Sequence, residues 1–435
     1  MGLGVPPLPK PARRSKIPIG DSKFRPLIEY LARRLRISAA HPTRSRFIQA
    51  MSTANGSTTT DGAQSAQKRL YNFSAGPATL PTSVLHEVQD ELLCYPGVGA
   101  SIMEISHRSP TFVEILETAQ SDLRSLIGIG DDYEVLFLQG GSALQFSMVP
   151  ANLIGDTGRA GHYLVTGSWS KKAITEAKKE GEAVTAYDAS ASNFDHVPQF
   201  DESSASDYDV PNDSAMLYYC SNETIQGVQF QSEPWCPDGV PRACDASSDF
   251  LSRPIDITRY GLLYACAQKN AGPAGVTVVI MRRDLLERSP ARLAGYMNYA
   301  NHAGAQSMWN TPPTFAIYVM GKIIRWVRDQ CGGLESMAET NRRKAAMIYD
   351  VIDANPEFYQ GHAKPDCRSM MNATFKFANE DLLSEFIQQA AEHDLTALKG
   401  HRSVGGIRAS LYNAMPVEGV EILASFMKDF VAQHG

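Results

Sequence analysis

Lys269 is the residue whose type and setting most invite chemistry. It stands in Tyr264-Ala-Cys-Ala-Gln-Lys-Asn-Ala-Gly-Pro-Ala-Gly275, just ahead of Gly275-Val-Thr-Val-Val-Ile-Met281, an apolar run that reads as a buried strand. A lysine where two strands meet at a Gly/Pro turn is partly withdrawn from water, and burial favours the neutral amine. A neutral amine attacks an aldehyde carbon to give a Schiff base. About two dozen residues earlier, Asp245 directly follows Val240-Pro-Arg-Ala-Cys244. Its carboxylate therefore belongs at a strand end, partly buried and in need of a cation. That cation is either a nearby arginine or a protonated ring nitrogen. Trp169, in Thr166-Gly-Ser-Trp-Ser170, is either a core residue or a surface for a planar ring to stack on. Gly140-Gly-Ser142, between a strand and a helix, leaves N–H groups free at a positive helix end, a setting that holds phosphate. A Gly-Gly pair by itself is often only a turn.

The combination discriminates where its members do not. An amine, a strand-end carboxylate, a stacking aromatic and a phosphate cradle are the four parts that pyridoxal phosphate requires, with the aspartate keeping the ring nitrogen protonated. Arginine placement then speaks to the substrate. In Gly400-His-Arg-Ser-Val-Gly-Gly-Ile-Arg-Ala-Ser-Leu-Tyr412 a period of two puts Ile407, Ala409 and Leu411 on one face and Arg408 on the other. From such a strand Arg408 is placed to fork a carboxylate. His107-Arg108 and His401-Arg402 are two further His-Arg pairs in loops. Unless they are solvated surface groups, they imply a substrate with more than one negative charge.

The elements that position these residues share one grammar. Strand 134–138 runs into Gly140, strand 163–165 into Trp169 and a helix through Glu180, strand 215–219 into Cys220-Ser-Asn-Glu-Thr-Ile-Gln-Gly227, segment 240–244 into Asp245, and strand 262–266 into Lys269. Apolar strands alternating with helices predict an α/β fold with a mostly parallel sheet covered on both faces. In such sheets ligands sit at the carboxyl ends of the strands. Residues 186–214, acidic and without period, read as a surface insertion. Helices are expected over Pro81–Leu93, Phe112–Ile127, Thr314 to about Cys331, Gly333–Ala354 and Val417 to about Gln433. The expected division is an extension over 1–69, a large cofactor-binding domain with its turn-rich leading segment over 70–325, and a smaller α+β domain over 326–435.

Composition bounds the function classes. The 435 residues are 43% hydrophobic and 20% charged, with 41 Lys and Arg against 47 Asp and Glu. A formal charge of −6 gives no basic field for nucleic acid. No apolar run reaches the roughly 18 residues that span a bilayer. Seven scattered cysteines without a C-x-x-C pair fit free thiols in a reducing compartment, the cytoplasm, and give neither a metal site nor a disulfide framework. Residues 1–50 carry 11 Lys and Arg and two acids. Phe24, Leu27, Ile28, Leu31 and Leu35 fall there at helical spacing, the pattern of an organellar presequence. A disordered tail or an untranslated upstream frame is the alternative. The Ser/Thr/Gly-rich stretch from Met51 to about Lys68 reads as disordered.

From about Tyr71 onward the chain resembles the phosphoserine aminotransferase family, within the class V, fold-type I group of pyridoxal phosphate enzymes. The stretches that carry the resemblance include Asn72-Phe-Ser-Ala-Gly-Pro-Ala78, Met103-Glu-Ile-Ser-His-Arg108, Asn222-Glu-Thr224, Leu251-Ser-Arg-Pro-Ile-Asp256, Ala267-Gln-Lys-Asn270, Asn310-Thr-Pro-Pro-Thr-Phe315, Lys399-Gly-His-Arg402 and Asn413-Ala-Met-Pro416. The resemblance implies that Lys269 bonds the cofactor and shuttles the α-proton. Asp245 would pair with the ring nitrogen, Trp169 stack on the ring and Thr224 bond its hydroxyl. Ser142, the backbone of Ala143 and Gln268 would hold the phosphate, with Asn310 and Thr311 reaching it across a homodimer. Arg408 would bind the substrate carboxylate, and His107, Arg108, His401 and Arg402 the substrate phosphate. It further implies ping-pong transfer of an amino group from L-glutamate to 3-phosphohydroxypyruvate, the serine-forming reaction. Some bacterial members carry Arg where Ala143 stands, so that side-chain contact is missing here. A cysteine desulfurase would need a thiol on a mobile Gly/Ser-rich loop; Cys220, Cys244 and Cys266 instead end apolar strands. A cofactor-free binding protein would have no reason to keep Lys269, Asp245 and Trp169 together.

Overall fold

A computed structural model describes residues 68–199 and 207–435, and Lys68–Gly435 form one compact unit. The expected presequence and Ser/Thr-rich tract, through Gln67, lie outside the described residues. Seven strands make the central sheet: β1 Tyr133–Leu138, β2 Gly161–Val165, β3 Ala183–Asp188, β4 Met216–Cys220, β5 Arg242–Asp245, β6 Leu262–Cys266 and β7 Thr277–Arg282. Their order is β1-β7-β6-β5-β4-β2-β3. β7 runs antiparallel to both neighbours and every other pair is parallel. The carboxyl ends of β1, β2, β4, β5 and β6 therefore share one edge.

The strands are β-branched and apolar because both faces are covered. Val135, Phe137, Leu263, Ala265, Val278 and Ile280 enter one core. Their neighbours Leu136, Leu138, Leu262, Tyr264, Val279 and Met281 enter another on the opposite face, as a period of two requires. Helices α1 Thr82–Leu92 and α2 Pro110–Ile127 lie in chain order before the sheet; α3 Gly141–Leu153 and α4 Ser168–Glu180 follow β1 and β2. Pro81 stands at the N-cap of α1 and Ser109 Oγ caps α2. Helix α5, Thr314–Arg325, packs on α2.

Two expectations need correction. Residues 186–214 are no mere surface insertion. The stretch begins inside β3, and Val197, Tyr208 and Val210 are buried in the sheet's core. An edge strand pairs on one side only and is half exposed, so it lacks the apolar run that marks its neighbours. The helix expected to reach Cys331 leaves α-geometry at Trp326 and continues as a π-helical turn to Gln330. Gly332 and Gly333, at φ 77° and 86°, then allow a left-handed link into helix α6, Gly333–Ala354.

A third core lies beyond α5. Strands β8 Tyr359–Gly361, β9 Asn372–Phe377 and β10 Ile407–Ser410 form an antiparallel sheet. It packs with α6 and with helices α7 Leu382–Glu392 and α8 Val417–His434. The leading segment joins this core: Tyr71–Asn72 pairs with Leu395–Thr396, and Phe73 is fully buried there. Among the described residues no helix is long and apolar enough to cross a membrane.

Candidate active site

Each functional side chain hangs from the shared edge of the sheet. Lys269, three residues beyond the end of β6, is half-buried, and its Nζ donates to Thr224 Oγ1 at 2.6 Å. The same Nζ lies 5.7 Å from the centre of the Trp169 ring. Asp245 is the last residue of β5 and 3% exposed. It accepts hydrogen bonds from the Ser247 N–H at 2.9 Å, the Ser247 hydroxyl, and the Tyr264 hydroxyl at 2.9 Å. Tyr264 in turn meets Tyr218 at 2.7 Å. Burial pushes both phenols well above the ordinary tyrosine value, so they stay neutral.

Asp245 thus has donors but no cationic partner among the described residues, and the arginine reading of its neighbour fails. A buried carboxylate of this kind calls for a cation from outside the chain. A protonated ring nitrogen meets that need, with the Trp169 face and the Lys269 amine disposed about one space. The Gly140 turn completes the fit. Gly140 has φ 94° and a Cβ there would fall 2.4 Å from Leu144 Cδ2, so only glycine lets the backbone swing directly into α3. Ser142 Oγ, in the first turn of α3, lies 3.2 Å from Ser247 Oγ and 2.9 Å from Cys266 Sγ. Ala143 follows on the same turn, and Gln268 approaches from β6, its carbonyl accepting the Ala78 N–H at 2.9 Å. A cavity of about 600 Å³ lined by Ala143, Phe146, Trp169 and Lys172 adjoins this turn.

Protonation of Lys269 differs from the sequence-based expectation. Burial does lower its ammonium, but Tyr412 and Asp245 outweigh that effect and hold it above the ordinary lysine value. Desolvation was legible from the sequence; the opposing negative field of Asp245 was not. A cation set against Asp245 cancels part of that field and leaves burial to favour the free amine.

The anion-binding residues divide. Arg408, on β10, is half-buried and reaches the Thr224 carbonyl at 3.5 Å; burial lowers its pKa. It pairs with no carboxylate among the described residues. His401 is bonded to Ser403 Oγ at 2.7 Å. Burial, then the charges of Arg408, Arg402 and Lys172, push its imidazole below the ordinary histidine value. These four basic side chains therefore face one region. His107 and Arg108 lie in the loop before α2, where the Arg108 N–H bonds Ser106 Oγ. Asn310 and Thr311 are exposed, and Asn310 donates to Gln139 of its own chain at 3.0 Å.

Sequence reasoning missed four neighbours. Ser247 links Asp245 to Ser142 and takes the Cys266 N–H; its place two residues after a strand-end aspartate was the available signal. Tyr412 bonds Asn372 and the Ala75 carbonyl beside Lys269. Lys172 stands 4.4 Å over the Trp169 ring. Glu223 is buried beneath the same tryptophan, inside a motif read only for its threonine.

Comparison with known proteins agrees with this geometry. The family described as Aminotransferase class-V matches residues 70–423. A phosphoserine aminotransferase of Rhodopirellula baltica is 60% identical over 378 residues, covering 87% of this chain and 99% of that one. Among solved structures, phosphoserine aminotransferase from Bacillus circulans subsp. alkalophilus is 44% identical with a TM-score of 0.80, covering 84% of this chain and 99% of that one. A pyridoxal-phosphate-bound phosphoserine aminotransferase from Trichomonas vaginalis is 40% identical with a TM-score of 0.77, covering 83% and 100%.

Proposed function

The chain belongs to the class-V aminotransferase family, and from that membership we propose that it carries an amino group from L-glutamate to 3-phosphohydroxypyruvate, releasing 2-oxoglutarate and O-phospho-L-serine. It is a pyridoxal-phosphate-dependent transaminase acting on small molecules. When bound, the cofactor supplies an aldehyde for amines and a cationic ring that draws electrons from the substrate's α-carbon.

The chain's own residues supply the rest. Lys269 offers the condensing amine at Nζ and, once released, takes and returns the α-proton. Thr224 steadies that amine and the ring hydroxyl, Asp245 keeps the ring nitrogen protonated, and Trp169 covers a ring face. Ser142, the Ala143 N–H and Gln268 hold the phosphate. Arg408 forks the substrate carboxylate, which both substrates carry. His401 and Arg402 take the second anionic group.

The observation that carries the substrate assignment is the set of basic side chains at His401, Arg402, Arg408 and Lys172, none paired with a carboxylate among the described residues. A dianionic phosphate neutralises such a set and a methyl group does not. The second copy of a homodimer supplies Asn310, Thr311, His107 and Arg108 in this reading. The exposed apolar side chains Leu93, Val98, Met103 and Trp309 support it, flanking the segments that carry those residues. The proposed division is a large domain over 70–325 and a small one over 326–435; most of the core beyond α5 comes from the latter, although Val327, Leu334, Met337 and Cys367 pack into the sheet's core and Phe73 of the leading segment into the core beyond α5. Free thiols at all seven cysteines favour the cytoplasm, unless residues 1–50 direct the chain to an organelle.

The test is to add glutamate to the holoenzyme without an acceptor, then each acceptor in turn. One equivalent of 2-oxoglutarate per chain is expected at once, followed by O-phosphoserine on adding phosphohydroxypyruvate and little alanine on adding pyruvate. Equal turnover of pyruvate would remove the phosphate assignment.

A further inference from the structure

Helix α4 starts without a cap of its own. Its N-cap residue is Gly167, which has no side chain to accept the first N–H groups. The acceptors come instead from residues more than 50 positions away. Glu223 Oε2 accepts the Trp169 N–H at 2.9 Å, and Oε1 accepts the Ser170 N–H at 2.9 Å and the Ser170 hydroxyl at 2.6 Å. Ser170 Oγ itself accepts the N–H groups of Thr166 and Gly167, each at 3.0 Å. Gln226 takes the Ser168 N–H at 3.2 Å and returns a bond to the Ser168 hydroxyl at 2.7 Å. The fit is close: a Cβ at Gly167 would lie 2.3 Å from Glu223 Cδ.

Glu223 is 1% exposed, and no lysine, arginine or histidine pairs with it among the described residues. Its charge is met by three donors and by the positive end of α4. Burial holds the carboxyl above the ordinary glutamate value, and the Ser170 and Trp169 donors offset only part of that rise. The adjoining residue, Thr224, bonds Lys269. One short segment therefore fixes both the indole and the amine.

We propose that Glu223 is a positioning residue: its carboxylate, by capping α4 from across the sheet edge, sets where the Trp169 ring stands and so the plane in which the bound cofactor's ring is held. This rests on the reading that Trp169 stacks on that ring. Every acceptor position of the carboxylate that faces α4 is used, so the isosteric Glu223→Gln places an NH₂ donor against a backbone or hydroxyl donor.

The test is a double-mutant cycle on the full chain, reading the dissociation constant of pyridoxal phosphate and the visible circular dichroism it acquires on binding. Glu223→Gln is expected to weaken binding about tenfold and reduce the dichroism, and in a Trp169→Ala background to cost less than about twofold more. Should Glu223→Gln fail to fold, Ser170→Ala, which keeps the carboxylate but removes its strongest donor, takes its place in the cycle. An equal loss in both backgrounds overturns the proposal, because Glu223 would then act on the fold generally. Wild-type binding and dichroism in Glu223→Gln overturn it too. If Trp169→Ala alone changes neither readout, the stacking reading itself has failed and the proposal falls with it.

Discussion

The inner half of the site and its cationic rim are built on opposite plans. At the sheet edge Asp245, Ser247 and Ser142 are linked in series by hydrogen bonds, and Lys269 is bonded to Thr224. At the rim, Arg402 is exposed, and Arg408 and His401 have carbonyl or hydroxyl neighbours but no counter-charge among the described residues. An interior arrangement fixed by its own hydrogen bonds, and lacking only a cation for Asp245, can hold one constant group through every cycle, because little reorganises as the reaction proceeds. A rim of unpaired cations is held at a cost in self-repulsion, visible in the lowered His401, and an arriving anion relieves it. On the proposed function, chemistry belongs to the first and substrate choice to the second.

Removing the amine strikes hardest at this division. Lys269→Ala should cut turnover about a thousandfold or more, while equilibrium dialysis still finds the cofactor bound through the phosphate cradle and Trp169. Loss of cofactor with loss of turnover would merge binding and chemistry in one residue. Next in size, Arg408→Lys should raise KM for both substrates about tenfold, because a point charge cannot replace the bidentate fork. Arg402→Ala should raise KM for phosphohydroxypyruvate severalfold, by about 1 kcal/mol of binding, and leave KM for glutamate unchanged. Equal effects on the two substrates would deny the rim its role in discrimination.

The remaining two are pH effects. The His401 imidazole is neutral in the free chain at neutral pH, since burial and the adjacent cations lower it. A bound phosphate raises it again, so binding takes up a proton and affinity falls as pH rises from about 6 to 8. The ratio of KM values between wild type and His401→Gln, which cancels titration of the substrate itself, should change about two- to fivefold over that range. Smallest is a stability effect behind the inner half. Lys344 is fully buried with its Nζ 2.7, 2.8 and 3.3 Å from the carbonyls of Leu411, Tyr412 and Met415, two of which the neutral amine still serves, holding the strand exit that carries Tyr412. Burial pushes its pKa down to about 7, whereas an unfolded chain keeps that proton to about pH 10. Between these values the unfolded state binds more protons, so stability rises with pH, by at most about 1.4 kcal/mol per unit. Denaturation of Lys344→Met at pH 7, 8 and 9 should show a shallower rise; an unchanged slope would place the titration elsewhere.

Much of this was legible in order along the chain. Apolar strands followed by polar turns are local facts, and β1, β2, β4, β5 and β6 emerge with Gly140, Trp169, Thr224, Asp245 and Lys269 at their ends because periodicity and glycine act within a few residues. The edge strand β3 was hidden, since half-exposure erases the apolar run that announces a buried strand. The acidic stretch after it concealed Tyr208 and Val210 for a related reason: isolated apolar residues in polar surroundings show no period.

By itself the sequence determined which residues could condense with an aldehyde, hold a ring nitrogen cationic and fork a carboxylate, and it placed each at an element's end. Only the tertiary structure decided which of those ends meet. It left Asp245 without an ion-pair partner among the described residues, raised Lys269 against the pull of burial, gathered Lys172 with His401, Arg402 and Arg408, and set Glu223 under a helix whose own cap is glycine. Such pairings join residues tens to hundreds of positions apart. They depend on strand order and on the fields of neighbours, neither of which a local pattern of residue types encodes.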